Sequence, residues 1–365
     1  MKLLHSVFFI NLLASNIIFS QNITISDENF KRILLESSSI EVKDLDGYPI
    51  KVDSNGDGKI QVNEAELVGY LSVQDYKIES LEGIEYFKNL FFLNCIGNKL
   101  VSLNTSNLLK LEYLYCSYNK LESLALNNNR QLKILECSDN NLVNLKISNL
   151  DGLIDLKCSN NKLTSIKLDN SVALERIEVS HNQLESLDVS MMKNLIMFSC
   201  NSNKITELDF ENSLNIKDIN CEFNSLNNLE LGNNVELESL HCFSNNLINL
   251  NIEKLTNLKY LKCSNNKLNS LNLKNTINLE QLHCSKNNLL LLDVSNLYNL
   301  KTLYCDKNPI EELIFENNNN LVYDCDRILR GLYNLKSIEI EKKYGDALKS
   351  CLSESDLTKV KFIYN

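Results

Sequence analysis

Between Leu111 and Gln131 the chain reads LEYLYCSYNKLESLALNNNRQ, and the pattern LxxLxCxxNxLxxLxL plus a polar turn returns along the chain at a constant step. Cysteine falls at positions 95, 116, 137, 158, 200, 221, 242, 263, 284 and 305, and Val179 occupies the one step skipped. Three places after each of these eleven positions stands an asparagine, from Asn98 to Asn308. A period this strict specifies a solenoid with one coil per repeat, each coil burying its apolar side against its neighbours.

Each repeat holds two alternating apolar runs. The first, such as Leu114 and Cys116, has period two and reads as a short strand with its apolar side chains inside the coil. The second, such as Leu121, Leu124 and Leu126, reads the same way on the opposite wall. The asparagine follows the first strand, where the chain turns and leaves backbone groups hidden from water. Its amide both donates and accepts, so stacked copies satisfy neighbouring turns.

This pattern resembles the leucine-rich repeats, specifically the short 21-residue class of bacterial proteins, over roughly residues 71–321. The resemblance implies a leucine-rich-repeat solenoid, a parallel β-rich coil of about 12 to 14 turns with few helices. It also implies strands stacked on a concave face, buried leucines and an asparagine ladder. The general architecture expected is internalin-like.

The repeated cysteines admit three readings: disulfides, a metal ladder, or small buried hydrophobes. Valine at position 179 indicates a site for a small apolar side chain. In-register parallel strands hold equivalent Cβ atoms about 4.8 Å apart, beyond the roughly 3.5–4.5 Å a disulfide prefers. A single-file column does not converge on a tetrahedral metal either. Ten free, buried thiols are therefore expected. Cys325 and Cys351 lie outside the register and are the one pair left that could form a disulfide.

Lys2 precedes an apolar stretch from Val7 to Phe19 that ends at Ser20, so residues 1–20 read as a secretory signal peptide cleaved before Gln21. No later segment is long and apolar enough to span a bilayer. Export to the periplasm, the cell surface or the medium is the expectation, with a monomeric product in a compartment where a disulfide is chemically allowed. The net charge of -10 opposes nucleic acid as a partner.

Ahead of the repeats, residues 21–70 read as a cap containing Asp53-Ser-Asn-Gly-Asp-Gly-Lys-Ile-Gln-Val-Asn-Glu64. This matches the twelve-residue calcium loop D-x-[DN]-x-[DN]-G-x5-E and resembles the loops of EF-hand and dockerin modules. The resemblance assigns side-chain oxygens to Asp53, Asn55 and Asp57, a carbonyl to Lys59, a direct or water-mediated contact to Gln61 and two oxygens to Glu64. Ile60 would point into the core. The loop departs from that family in being single and in being entered from Tyr48-Pro49-Ile50-Lys51-Val52, which reads as extended. The expected helix, Asp27 to Leu35, lies further upstream, and the expected role of the ion is to clamp the cap onto the first coil.

That first coil is legible because Val68, Leu71 and Val73 have the same mutual spacing as Leu90, Leu93 and Cys95 in the next one. At the other end the register fails, with Asp324 and Asp326 where Leu and Cys are due. Residues 322–365 read as a C-terminal cap of two longer coils, with Leu335, Ile338 and Ile340 aligned at one constant offset with Leu357, Val360 and Phe362. Arg327 to Tyr333 and Gly345 to Leu352 are expected as short helices on the convex side.

No catalytic constellation emerges. His241 and His283 share a column but stand two coils apart, about 10 Å, with Lys262 between them; that is too far for one metal ion. There is no G-x-S-x-G, phosphate loop or H-E-x-x-H. A non-enzymatic protein is expected, with binding carried by the strand face. The column before each cysteine alternates in sign at Glu136, Lys157 and Glu178, which suggests pairing between rungs. Aromatic groups gather at its two ends: Phe91, Phe92, Tyr113, Tyr115 and Tyr118 at one, His241, Phe243, Tyr260, His283 and Tyr304 at the other. The expected function is an exported binding or adhesion module for an extracellular or envelope protein or glycan. The alternative is a calcium-stabilised structural component of the envelope or matrix.

Overall fold

Alternation of period two forces each coil to put its leucines inside, and stacking then pairs the strands of successive coils. In this computed structural model, residues 21–364 are described apart from Ser39 and residues 148–149, 169–170, 316–320 and 322–324. The segment read as a signal peptide, residues 1–20, and Asp324 lie outside the described residues.

The first runs build one long sheet. Twelve parallel rungs run from Tyr70–Ser72 to Thr302–Tyr304, and one antiparallel strand of the cap, Glu41–Lys43, covers the N-terminal edge. Each rung is a short strand with its middle residue inside and the flanking pair on the solvent side. Tyr113–Tyr115, for example, buries Leu114 between two half-buried tyrosines. The cysteine comes just after the strand and continues the ladder, as when the Cys116 N–H donates to the Glu136 carbonyl at 2.7 Å.

Second runs form the opposite wall as shorter sheets of two, two, two and four strands. Leucines, isoleucines and the cysteine column fill the space between the walls. Phe198 meets Phe210 edge to face at 5.0 Å inside one coil. All ten cysteines of the column are free and buried, and Val179 takes the eleventh place with the same complete burial. Burial pushes the Cys95, Cys137, Cys263 and Cys305 thiols up to about 12, so they remain uncharged.

The asparagines join coil to coil. Asn182 donates through Nδ2 to the Cys158 carbonyl of the preceding coil at 3.0 Å and to the Val179 carbonyl of its own at 3.1 Å. Its Oδ1 accepts from the Leu163 N–H at 3.0 Å. Just before each asparagine the chain takes a left-handed residue, among them Gly97, Tyr118, Asp139, His181, Phe223 and Lys307, with φ between 51° and 70°. This column escaped sequence reading because most of its members are not glycine. The asparagine bonds on both sides hold the turn at a backbone position that costs an ordinary L residue about 1–2 kcal/mol.

The expected upstream helix is present. Helix α1, Glu28–Glu36, starts at Asp27, whose Oδ1 accepts from the Phe30 N–H, and it buries Phe30, Ile33 and Leu34. Asp27 also uses Oδ2 to accept from the N–H groups of Glu79 and Ser80 at 2.7 and 3.1 Å, tying the helix to the first coil. Leu71 pairs with Leu93, in the register that the spacing of the first coil predicts.

The C-terminal end departs from expectation in three ways. The terminal coils are longer still than their apolar spacing suggests: Leu313 aligns with Ile338 and Ile338 with Phe362, so Val360 is not the partner of Ile338. Their strands, Ser337–Ile340 and Lys361–Tyr364, extend the opposite wall. The expected convex helices instead include α2 (Cys325–Leu329), which stacks over the last rung of the long sheet with its Ile328 carbonyl 3.5 Å from Cys305 Sγ. Polar Asp326 cannot enter the column that Cys305 occupies, so the chain coils there and ends the sheet. Helices Gly345–Lys349 and Glu354–Leu357 follow, and a disulfide joins Cys325 to Cys351 with their Cα atoms 6.0 Å apart.

Candidate functional site

Two regions carry chemistry: the cap loop and the solvent face of the long sheet.

In the loop, Gly56 and Gly58 take the left-handed conformation at φ 73° and 78°, which lets the chain double back. Asp53 Oδ1 accepts from the Gly56 N–H at 2.8 Å and Oδ2 from the Gly58 N–H at 3.0 Å. Asn55 and Asp57 each accept from the N–H two places on, at 2.8 and 2.9 Å. Glu64 is buried; its Oε1 accepts from the Ser54 N–H at 2.9 Å and its Oε2 from the Gln61 N–H at 3.0 Å. Ile60 is buried as expected. Its carbonyl accepts from the Ile23 N–H at 2.8 Å, and Val62 donates to the Gln21 carbonyl at 3.0 Å. The chain's own segment 21–23 thus lies antiparallel to the exit of the single loop.

The donor chemistry of this loop is all oxygen, which suits a hard cation such as calcium. Among the described residues no Lys or Arg forms an ion pair with Asp53, Asp57 or Glu64, so their charge is opposed only by N–H and hydroxyl dipoles. The arrangement is not that of a gathered ligand set, since no three His, Cys, Asp or Glu among the described residues converge on one metal position. The loop carboxylates are turned to the loop's own donors, and Gln61 takes part: its Nε2 donates to both carboxylate oxygens of Asp57 at 3.0 and 3.2 Å, and its Oε1 accepts from Asn55 at 2.9 Å. Closing around an ion requires Gln61 to release Asp57.

On the long sheet the column before each cysteine, expected to be exposed, is half-buried from Asn94 to Tyr304. Rungs about 4.8 Å apart press these side chains against one another, and three zones result. In the first, the rings of Tyr70 and Phe92 stack at 4.0 Å, and Phe92 lies 6.2 and 5.3 Å from Tyr113 and Tyr115. Tyr70 donates its hydroxyl to Glu41 at 3.0 Å; burial and then Glu41 push that phenol up to about 12. The middle zone pairs its own charges, Lys157 with Glu136 at 2.7 Å and Arg176 with Asp155 at 3.8 Å. Burial raises the Asp155 carboxyl, whose Oδ1 has no hydrogen-bond partner among the described residues.

The third zone begins with Asp218 and ends with Tyr304. His241 Nδ1 lies 3.6 Å from Glu222 Oε1. Burial, and after it Lys262, lowers the imidazole, while burial raises the Glu222 carboxyl. His283 meets Tyr304 edge to face at 4.5 Å. Tyr260 stands between Ser239 and Gln281 on the neighbouring strands.

The structure therefore brings together His241, Tyr260, His283 and Tyr304, and separately Tyr113 and Tyr115. Phe243 sits past its strand and packs on Phe223 at 4.5 Å. Tyr118, 63% exposed in a left-handed turn, makes no ring contact with Tyr113 or Tyr115 among the described residues. Sequence reading missed Tyr70, although it stands to Phe92 as Leu71 stands to Leu93. It also missed Glu222, which is far from His241 in sequence. A surface depression of about 490 Å³ lies on the opposite wall between Leu271 and Leu291, and none of these groups lines it.

The fold is that of known leucine-rich-repeat solenoids. The functional domain of InlJ from Listeria monocytogenes, described as including a cysteine ladder, superposes with a TM-score of 0.67 at 28% identity, over 78% of this chain and 70% of that one. The internalin InlF from the same organism superposes with a TM-score of 0.57 at 22% identity, over 86% and 94%. A leucine-rich-repeat protein of Leptospira interrogans gives 0.60 at 22% identity, over 79% and 82%. No family model and no curated protein matches the sequence.

Proposed function

We propose that this chain is an exported, non-enzymatic binding or adhesion module that presents the solvent face of its long sheet to a protein or glycan. The observation that carries this reading is the division of labour along the twelve rungs. Interior columns repeat leucine, cysteine and asparagine, while the outward columns change from aromatic through ion-paired to histidine- and tyrosine-bearing. A surface free to vary on a fixed scaffold is suited to recognition. The resemblance to internalins supports the same reading, as do the signal-like residues 1–20.

The test is capture of binding partners by the mature protein, compared with a Tyr260→Ala/Tyr304→Ala variant. Truncating two aromatic anchors is expected to weaken binding at least tenfold while stability changes by about 1 kcal/mol or less per ring. Unaltered affinity sinks the assignment of this zone.

Calcium is proposed as a structural ion of the cap, held by Asp53, Asn55, Asp57, the Lys59 carbonyl, Gln61 and Glu64. When bound it would supply the positive charge those carboxylates lack. The residues that benefit are the segment at 21–23, which pairs with the loop exit, and helix α1, which follows it in the chain. At a calcium concentration 100 times the Kd the expected stabilisation is about 2.7 kcal/mol. A melt with and without chelator, with hydrogen exchange at residues 21–62 as local readout, checks it; identical behaviour in both counts against the ion. A calcium-stabilised structural component is the second reading, favoured by the strand Lys361–Tyr364 at the outer edge of the opposite wall. A particle that grows with protein concentration in calcium is the result that supports it.

A further inference from the structure

The outward positions of the twelve parallel rungs carry three full cations: Lys157, Arg176 and Lys262. Two are neutralised by a carboxylate on an adjacent rung, at 2.7 Å for Lys157 and 3.8 Å for Arg176. Lys262 differs. Among the described residues it forms no ion pair, and the side chains beside it in its column are the imidazoles of His241 and His283. The acid that feels its charge, Glu222, lies 3.6 Å from His241 and forms no ion pair with Lys262 among the described residues. Lys262 is thus the rung cation with no carboxylate in contact among the described residues, and its ammonium is left half-buried with donors to spare.

We propose that the column His241–Lys262–His283 is an anion subsite that takes the carboxylate of an acidic saccharide. This rests on the reading of the sheet face as the binding surface and names the chemistry of its third zone. Lys262 supplies the charge, and the two imidazoles stand about one rung, 4.8 Å, to either side as its polar walls. The residues around them decide for a sugar. Ser239, Tyr260, Gln281 and Thr302 line the adjacent column. All bear hydroxyl or amide groups that both donate and accept, as sugar hydroxyls require. Tyr260 and Tyr304 add ring surface for a pyranose. A protein interface centres on apolar side chains with its polar groups at the rim, whereas on these four rungs hydroxyl, amide and imidazole groups fill the centre and no aliphatic side chain faces outward.

Calorimetric titration of the mature protein with sialyllactose and trigalacturonate, against lactose, neutral trigalactose and a triglutamate peptide, tests the proposal. The acidic saccharides are expected to bind at least tenfold more tightly than the neutral ones. Lys262→Gln is expected to lose about tenfold of that affinity, one charge-assisted hydrogen bond, with an unchanged melting temperature. Lys157→Gln, which removes a cation already paired on the same face, is expected to leave it intact. Equal binding of neutral sugars, or no loss in Lys262→Gln, overturns the subsite. Triglutamate bound as tightly as the acidic sugars overturns the saccharide in favour of an acidic protein segment. Binding of no anion at all also overturns the subsite, whereas partner capture with the tyrosine variants judges the broader reading separately.

Discussion

Asn182→Leu is expected to lower the unfolding free energy by about 3 kcal/mol or more, read by denaturant melts. The amide bridges two coils. It gives Nδ2 to the carbonyls of Cys158 and Val179 and accepts from the Leu163 N–H through Oδ1. Leucine would fill the space but leave those buried backbone groups unpaired, at about 1–3 kcal/mol each. Asn203→Leu removes the same set of bonds at a half-buried site. Water can reach its partners, so its cost is expected nearer to about 1 kcal/mol. Equal costs at the two positions would show that water does not make up for the lost bonds at the half-buried site.

The second large effect separates packing from chemistry in the cysteine column. Cys158→Val is expected to cost less than about 1.5 kcal/mol, as a near-isosteric apolar swap, because Val179 already occupies the next place in the column. Cys158→Asp is expected to cost about 4 kcal/mol or more, since a carboxylate there is fully buried in the core between the two walls. Burial holds the Cys158 thiol well above its usual range, so it too is kept uncharged. A thiol serving as a metal ligand or redox centre would make valine as damaging as aspartate in the relevant assay.

The C-terminal end shows where sequence reading loses its grip. Within the repeats, a constant period pins every partner, because each coil meets an almost identical one. Beyond Leu321 the coils lengthen, so that Leu313 meets Ile338 and Ile338 meets Phe362. Apolar spacing alone then cannot say which residue of a run faces which, and Val360 and Phe362 are equally good partners for Ile338 on that ground. That Asp326 cannot continue the buried column was legible; that helix α2 then covers the last rung was not.

The loop and the sheet face were legible to different depths. The oxygen-bearing positions of the loop from Asp53 to Glu64 could be read from spacing, but the bonds of Gln61 to Asp57 and Asn55 needed coordinates. Likewise, the column before the cysteines could be written out in advance. That Lys157 is neutralised and Lys262 is not depends on which side chain each adjacent rung supplies and where it points.

The sequence by itself determined the solenoid, the inward cysteines and the asparagine ladder. A strict repeat makes local pattern and long-range contact the same statement, so register carries them all. Only the tertiary structure decided how the ends are closed, which aromatic groups meet, where the Glu222–His241 pair forms and which cation is left without a counter-charge. Those outcomes arise between non-identical coils, where side chains from different repeats compete for the same space and charge.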